Sequence, residues 1–277
     1  MRLAVVGHVE WVQFVRVEHT PAPGDIVHAL EWWEEPGGGG SVAAVQLAKL
    51  GGSASFFTAL GDDALGHRAH AELGALGIEV WATFRPTEQR RAITLIDGSG
   101  ERTITIIGER LGPRGGDPAP WEDVEEADAV YFTAGDDEAL RRARRATVLV
   151  ATSRILPQLV RAGVHLDALV GSGRDPGERY AAGDLDPPPR LQVWTEGKAG
   201  GRYRTAGEEE GTYPAAPLPG PVVDAYGCGD SFAAGLTFAL GAGYGTRDAL
   251  HLAARCGAYA LTGLGPVGGQ LTAAELG

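Results

Sequence analysis

Val222-Val223-Asp224-Ala225-Tyr226-Gly227-Cys228-Gly229-Asp230-Ser231-Phe232 reads as an apolar strand end that enters a Gly-x-Gly turn and runs directly into a helix. Glycines there allow a sharp turn and let a ligand approach the main chain. The first N–H groups of a helix have no partner inside it and carry the positive end of the helix dipole. Gly227, Cys228 and Gly229 are thus candidates for a seat that holds a phosphoryl group in transfer. Asp230 stands at the mouth of that turn, where a carboxylate can take the proton of an attacking hydroxyl. The plainer reading is that Asp230 only caps the helix.

Moving outward, Gly37-Gly38-Gly39-Gly40 and Ser41 lead into Val42–Leu50, a helix of small and mostly apolar residues that ends in Leu50-Gly51. These glycines expose backbone N–H groups to a ligand's hydroxyls and let the helix pack closely. A merely flexible loop would not be expected to feed a buried helix. Short apolar runs at Leu3–Val6, Ala54–Leu60, Ala129–Thr133, Val148–Ala151, Ala168–Val170 and Leu191–Trp194 read as strands. Helical patterns lie between them, for example Leu65, Ala69, Leu73 and Leu76, and Thr246 is the expected cap of the last long one. This alternation predicts an α/β chain with a mainly parallel sheet and helices on both faces. Asp97-Gly98-Ser99-Gly100 predicts a hairpin between Ile93–Ile96 and Thr103–Ile107. Leu111–Pro120 and Asp184–Arg190 read as loops, and neither separates two domains.

The 277 residues carry 24 Lys and Arg against 36 Asp and Glu, a formal charge of −12, which argues against a general nucleic-acid or anionic-membrane surface. Two cysteines, Cys228 and Cys256, cannot build a disulfide framework or a Cys-rich zinc site, and they suit a reducing cytoplasm. The run Met1–His8 lacks a signal-peptide pattern, and no stretch approaches the ~20 apolar residues of a membrane span. The expectation is a cytoplasmic protein acting on a small molecule, without nucleic-acid or membrane partners.

On its glycine motifs the chain resembles the ribokinase-like (PfkB) family of carbohydrate and nucleoside kinases. The family's C-terminal signature, D-T-x-G-A-G-D-x-F, stands here as Asp224–Phe232, with Ala225 for Thr and Cys228 for Ala. Its N-terminal signature stands as Gly37–Gly51, and its G-x-D-x-x-G stretch as Gly61–Gly66. Gly98–Arg102 is similar to its lid turn, and Thr195–Gly200 to the T-x-G-x-x-G loop beside ATP. Five matches in the family's order cover nearly the whole chain. The resemblance implies a ribokinase-like three-layer α/β/α sandwich in one domain, 1–277, with a small β-sheet lid from segments at about 8–35 and 80–107. It implies transfer of the γ-phosphoryl group of ATP to a sugar or nucleoside hydroxyl, with Asp230 as base and Gly227, Cys228 and Gly229 as anion hole.

The same resemblance assigns Glu10, Val12, Gly38, Gly39 and Val42 to the acceptor side, and Ser172, Asp175, Thr195, Gly197 and Gly200 to ATP. Asp175 would reach Mg²⁺ through water, with Glu178 as a substitute, and Arg174 is a candidate phosphate partner. It further implies a monovalent cation near Asp224 and a homodimer through the lid. Two positions depart from the pattern. Val12 stands where ribokinases place an Asp for sugar hydroxyls, and Val42 where they place an Asn. Each lost hydrogen bond removes about 0.5–1.5 kcal/mol, so ribose itself is a poor expectation, although Glu10 and Gln13 are candidates to compensate. Trp11, Trp32 and Trp33 are expected on the acceptor face and lid, one of the last two pointing away. A catalytically silent binding protein on the same scaffold is the alternative.

Three further motifs carry less. Gly263–Gly268 fits G-x-G-x-x-G but follows a helix and leaves too little chain for a βαβ unit. His67 and His70 sit three apart on a helix, but no further Cys or His cluster joins them, and a solvated face is the expectation over a zinc site. Arg141–Arg145 beside Asp136–Glu138 reads as ion pairing on a solvated helix.

Overall fold

A computed structural model describes residues 1–276. Its centre is a sheet of nine strands in the order β13-β12-β11-β10-β9-β8-β1-β4-β5. The seven strands from β11 to β5 are parallel: β1 (Leu3–Val6), β4 (Ser55–Gly61), β5 (Glu79–Arg85), β8 (Ala129–Phe132), β9 (Val148–Thr152), β10 (Ala168–Ser172) and β11 (Leu191–Thr195). An antiparallel hairpin, β12 (Gly201–Thr205) and β13 (Glu210–Tyr213), completes one edge.

Alternation along the strands builds two cores. Leu3, Val5 and Phe56 point into one, together with α1 (Gly39–Gly51), α2 (Ala64–Ala75), α6 (Cys228–Gly241) and α7 (Thr246–Ala260). Ala4, Val6 and Phe57 point into the other, beneath α3 (Trp121–Glu125), α4 (Asp137–Ala143) and α5 (Leu156–Ala162). The predicted α/β/α sandwich is the observed one. α1 and α6 are apolar nearly all round because each lies between the sheet and another helix, so little of either helix meets water.

Four strands form the second sheet, in the order β3-β2-β6-β7: β2 (Glu10–Arg16), β3 (Glu31–Gly37), β6 (Arg91–Ile96) and β7 (Arg102–Ile107). The predicted hairpin is β6 and β7, closed by a turn in which Gly100 N–H donates to Asp97 O at 2.9 Å. The lid's second segment is shorter than 80–107. Residues from Glu79 to Arg85 pair with β4 in the main sheet, because Val80, Ala82 and Phe84 pack on the central core.

Three other expectations are corrected. Val222 and Val223 form no strand, although Val223 N–H donates to Leu261 O at 2.9 Å and fixes the approach to α6. Thr246 is the first helical residue of α7, whose cap is Gly245 with no side-chain bond. The helix Val42–Leu50 begins earlier, within the glycines at Gly39.

The connection between β10 and β11 holds only one short 3₁₀ turn, Pro176–Glu178, where parallel neighbours ordinarily cross through a helix. Gly263–Gly268 forms a turn after α7, with no strand before it. Arg142 and Arg145 both reach Glu125 at 2.9 Å, and Arg144 reaches Asp167 at 2.7 Å, so the basic run is used in ion pairs.

Candidate active site

β1 has β4 on one side and β8 on the other, so the order of strands reverses there and a crevice opens beyond their carboxyl ends. His8 follows β1 and Thr133 follows β8; Thr133 N–H donates to Val6 O at 2.8 Å and ties the two ends together. The lid leaves the body just after β1 and returns through Gly37 into α1. These connections bring the N-termini of α1 and α6 to the crevice.

α6 begins at Gly227, whose φ of +73° lies in the left-handed region and whose Cβ, if present, would stand 2.9 Å from Val42 Cγ1. Only glycine meets both conditions without strain. Among the described residues, no backbone carbonyl accepts from the N–H of Gly227, Cys228 or Gly229. A Cβ at Gly229 would meet nothing within 4 Å, so this turn faces open space. Free donors, a helix start and an open face are what an incoming phosphoryl group requires.

Asp230 lies in the first turn of α6 against the start of α1: a Cβ at Gly39 would come within 2.6 Å of its Oδ1. Its side chain makes no hydrogen bond with a described residue, although as an acid in the first turn it also suits the positive end of the α6 dipole. Desolvation and the nearby Glu178 carboxylate push its pKa up to about 6, against the pull of Arg102 and Arg154. A carboxylate with that pKa is ionised at neutral pH yet basic enough to accept a proton. Arg102 donates from Nη1 to Ala225 O at 2.5 Å and so stands beside the turn.

Asp224, wholly buried, braces the turn. Its Oδ1 accepts from Tyr226 N–H at 2.8 Å and its Oδ2 from Gly265 N–H at 3.1 Å. A monovalent cation at Asp224 would share the carboxylate with these two N–H groups through the remaining lone pairs.

Among the residues expected to hold the nucleotide, β10 and β11 place Ser172 opposite Thr195, and Gly173 N–H donates to Thr195 O at 2.9 Å. Gly200 N–H donates to Gly197 O at 2.9 Å, closing the loop after β11, and the Arg174 guanidinium lies over Gly197. Ser172, Arg174, Thr195, Gly197 and Gly200 are therefore brought together. Ser172 Oγ accepts from the N–H groups of Arg174 and Asp175, which fixes the loop. Asp175 and Glu178 both reach Arg154 Nη2, at 2.6 and 2.5 Å, and Glu178 Oε2 accepts from Ser172 N–H at 2.8 Å. The Arg154 contact holds the Asp175 carboxyl below its usual range. No group of three or more acidic, His or Cys side chains among the described residues is placed to cage a metal. Both Asp175 carboxylate oxygens already accept hydrogen bonds, Oδ2 from Arg154 and Oδ1 from Gly177 N–H, so Mg²⁺ there would be reached through water.

The acceptor side differs from expectation. Val12 and Val42 are fully buried with Phe14, Ala92, Ile96 and Tyr226 in one apolar cluster. Glu10 is buried beside it and accepts from Arg90 Nε at 2.8 Å, with His8 Nε2 at 3.7 Å. Gly38 N–H, expected to serve a ligand hydroxyl, donates instead to the Tyr226 phenol oxygen at 2.9 Å. Gln13 lies on the other face of β2, donating to Glu34 at 2.7 Å, and cannot compensate for Val12. Of the three tryptophans only Trp33 joins the cluster, stacked on Phe14 with ring centroids 5.0 Å apart. Trp11 is buried in the central core under Arg68, and Trp32, 64% exposed, points away.

Sequence reasoning missed Arg90, Arg110 and Arg154. Their spacing carries no local pattern, and only the fold gathers them. Tyr226 lay within the quoted motif, but nothing in the sequence shows that its phenol reaches Gly38, 188 positions away.

Solved structures with this fold include a ribokinase from Thermotoga maritima, 20% identical, covering 99% of this chain and 97% of that one with a TM-score of 0.78. An Arabidopsis thaliana ribokinase complexed with ribose and ATP is 21% identical, with 95% and 93% covered and a TM-score of 0.73. A nucleoside kinase from Methanocaldococcus jannaschii is 18% identical, with 99% and 96% covered and a TM-score of 0.76. The sequence model of the pfkB family of carbohydrate kinases matches residues 1–169 and 186–272, leaving out part of the helix-free crossover between β10 and β11, and the chain belongs to that family.

Proposed function

We propose that this chain is an ATP-dependent kinase that transfers the γ-phosphoryl group to a hydroxyl of a sugar or nucleoside. The observation that carries the reading is the pairing of Asp230, raised to about 6, with the free N–H groups of Gly227–Gly229 in the turn just before it. The relatives solved with ribose and ATP, and with ADP, support it.

In this reading the acceptor hydroxyl sits by Asp230 and Gly39. Its oxygen bonds to the γ-phosphorus as the bond to the β-phosphate oxygen breaks, its proton passes to the Asp230 carboxylate, and ADP leaves. The N–H groups of the turn and the dipole of α6 stabilise the charge on the transferring group. Ser172, Thr195, Gly197 and Gly200 hold the nucleotide, with Arg174 above Gly197 as a phosphate partner. Mg²⁺, held by Asp175 through water, would supply charge neutralisation of the phosphates.

The apolar acceptor wall favours the second reading, a silent binding protein, because Val12 and Val42 offer no hydroxyl partner. Retention of Asp230 speaks against it, since a binder has no use for a base there. ADP release across sugars and nucleosides separates the two. Turnover abolished by Asp230→Asn supports the kinase, whereas nucleotide binding without phosphorylation of any acceptor supports the silent protein.

The reading extends to assembly and location. β7 is an edge strand with Ile104, Ile106 and Ile107 exposed, and two copies would cover these residues by pairing through the lid. Sedimentation at micromolar concentration tests this: a monomer throughout refutes it. No helix is long and apolar enough to cross a membrane. The two free thiols, Cys228 and Cys256, suit a cytoplasmic enzyme.

A further inference from the structure

The acceptor wall and the cations beside it point to a substrate class, an inference that rests on the kinase reading above. The Tyr226 phenol occupies Gly38 N–H at 2.9 Å, and Val12, Phe14 and Val42 are each 0% exposed. A neutral polyol placed there would leave its hydroxyls without partners, which is costly in a dry site. Recognition must therefore come from another side.

That side is cationic. The Arg90 side chain is only 12% exposed and gives Nε to Glu10 at 2.8 Å, but its two terminal nitrogens donate to no described residue. Glu10 sits next to the base: its N–H backs onto Gly38, whose neighbour Gly39 faces Asp230. Arg110 has no hydrogen bond or ion pair among the described residues. A Cβ at Gly108 would stand 3.8 Å from Arg90 Cα, and one at Gly112 would stand 3.1 Å from Gly135 N, just beyond β8. Arg110 is thus strung between the lid and β8 across the mouth of the crevice, in electrostatic reach of Arg90, Arg154 and Asp230. The same field, after desolvation, keeps His8 neutral by lowering its pKa, so His8 adds no positive charge. In a chain of net charge −12, the exposed and unpaired Arg110 and the free terminal nitrogens of Arg90, set together beside the Asp230 carboxylate, are not the overflow of a basic surface.

We propose that the acceptor carries an anionic group, a phosphate ester or a carboxylate, which Arg110 binds together with the terminal nitrogens of Arg90. Glu10 fixes the Arg90 fork, and the acceptor's uncharged part lies against Tyr226 and Val12. A guanidinium fork matches both anions in geometry, and a charge-assisted pair is about twice as strong as a neutral hydrogen bond.

The test compares ribose with ribose 5-phosphate, fructose with fructose 6-phosphate, and glucose with gluconate. Binding is measured calorimetrically with a non-hydrolysable ATP analogue present, and turnover by ADP release. The charged member of at least one pair should bind about 10- to 100-fold more tightly than its neutral partner and weaken as salt is raised. The phosphate and gluconate arms separate the two anions. Arg110→Ala should remove most of that advantage, raising KM for the charged acceptor about tenfold or more with kcat and the KM of ATP within a few-fold, and Arg110→Lys should restore part of it. Charged compounds that bind through Arg110 without being phosphorylated would uphold the anion site and sink the kinase reading. Neutral sugars phosphorylated as well as or better than their charged partners would uphold the kinase and overturn the anion site, as would the absence of any Arg110-dependent binding.

Discussion

The turn from Gly227 to Gly229 has its N–H groups free and faces open space, whereas the wall across from it, Val12, Phe14, Val42 and Tyr226, is closed and dry. Both flank Asp230, and they do different work. Charge that develops on a transferring phosphoryl group is the same whatever the acceptor, so the turn needs only donors held in place. The wall, which in the kinase reading faces one particular acceptor, holds the lid to the body through buried apolar area. Changes in it are compatible with an intact turn, and this chain carries that combination.

The contrast fails if the base is not where the turn places it. Asp230→Asn keeps size and helix start but removes the base, and kcat should fall about 10²- to 10⁴-fold with little change in nucleotide affinity. Near-parental turnover in a folded variant would move the active site elsewhere. On the wall, Phe14→Ala should cost about 3–5 kcal/mol of stability, because the ring is fully buried between Trp33 and Tyr226. Urea unfolding measures it, and a loss below about 1 kcal/mol would mean that the wall does not hold the lid.

The base can be read by pH as well. With its pKa raised to about 6, Asp230 is ionised and active above that value, so kcat/KM should fall about tenfold per pH unit on the acid side. Glu178→Gln removes the repelling carboxylate and releases Arg154, and both changes favour ionised Asp230, so the acid limb should move to lower pH. A limb that stays fixed would assign the titration to another group. Linkage carries the same sign. A carboxylate whose folded pKa is raised favours the fold at low pH and loses that contribution as pH rises through about 6. Asp230→Asn should therefore raise Tm at pH 7.5 relative to pH 4, by on the order of 2–4 °C.

The smallest effect is expected at Cys228, which in the kinase reading serves through its backbone N–H and whose thiol is pushed up by burial. Cys228→Ala should leave kcat within a few-fold. A collapse with the fold intact would show that the sulfur takes part.

Much of this architecture was legible in the chain because it rests on local periodicity. Strand-length apolar runs alternating with helical patterns imply a parallel sheet with helices on both faces, and Asp97–Gly100 could only close a hairpin between its flanking runs. The Gly227–Asp230 turn was equally legible as a glycine turn that opens a helix, since such a turn is made from consecutive residues. Pairings between distant residues were not. The phenol of Tyr226 on Gly38, the Arg154 clasp on Asp175 and Glu178, and the separation of Trp11 from Trp33 each join segments with no shared local pattern. Side chains on β2 also divide between two cores once the strand is paired, and only the register decides which face looks at the site. The sequence by itself determined the layers and the place of the Asp230 carboxylate in its turn, because those follow from neighbours along the chain. What surrounds the base was decided by tertiary structure, because the strength of a buried contact or an unpaired guanidinium depends on groups that only the folded chain brings together.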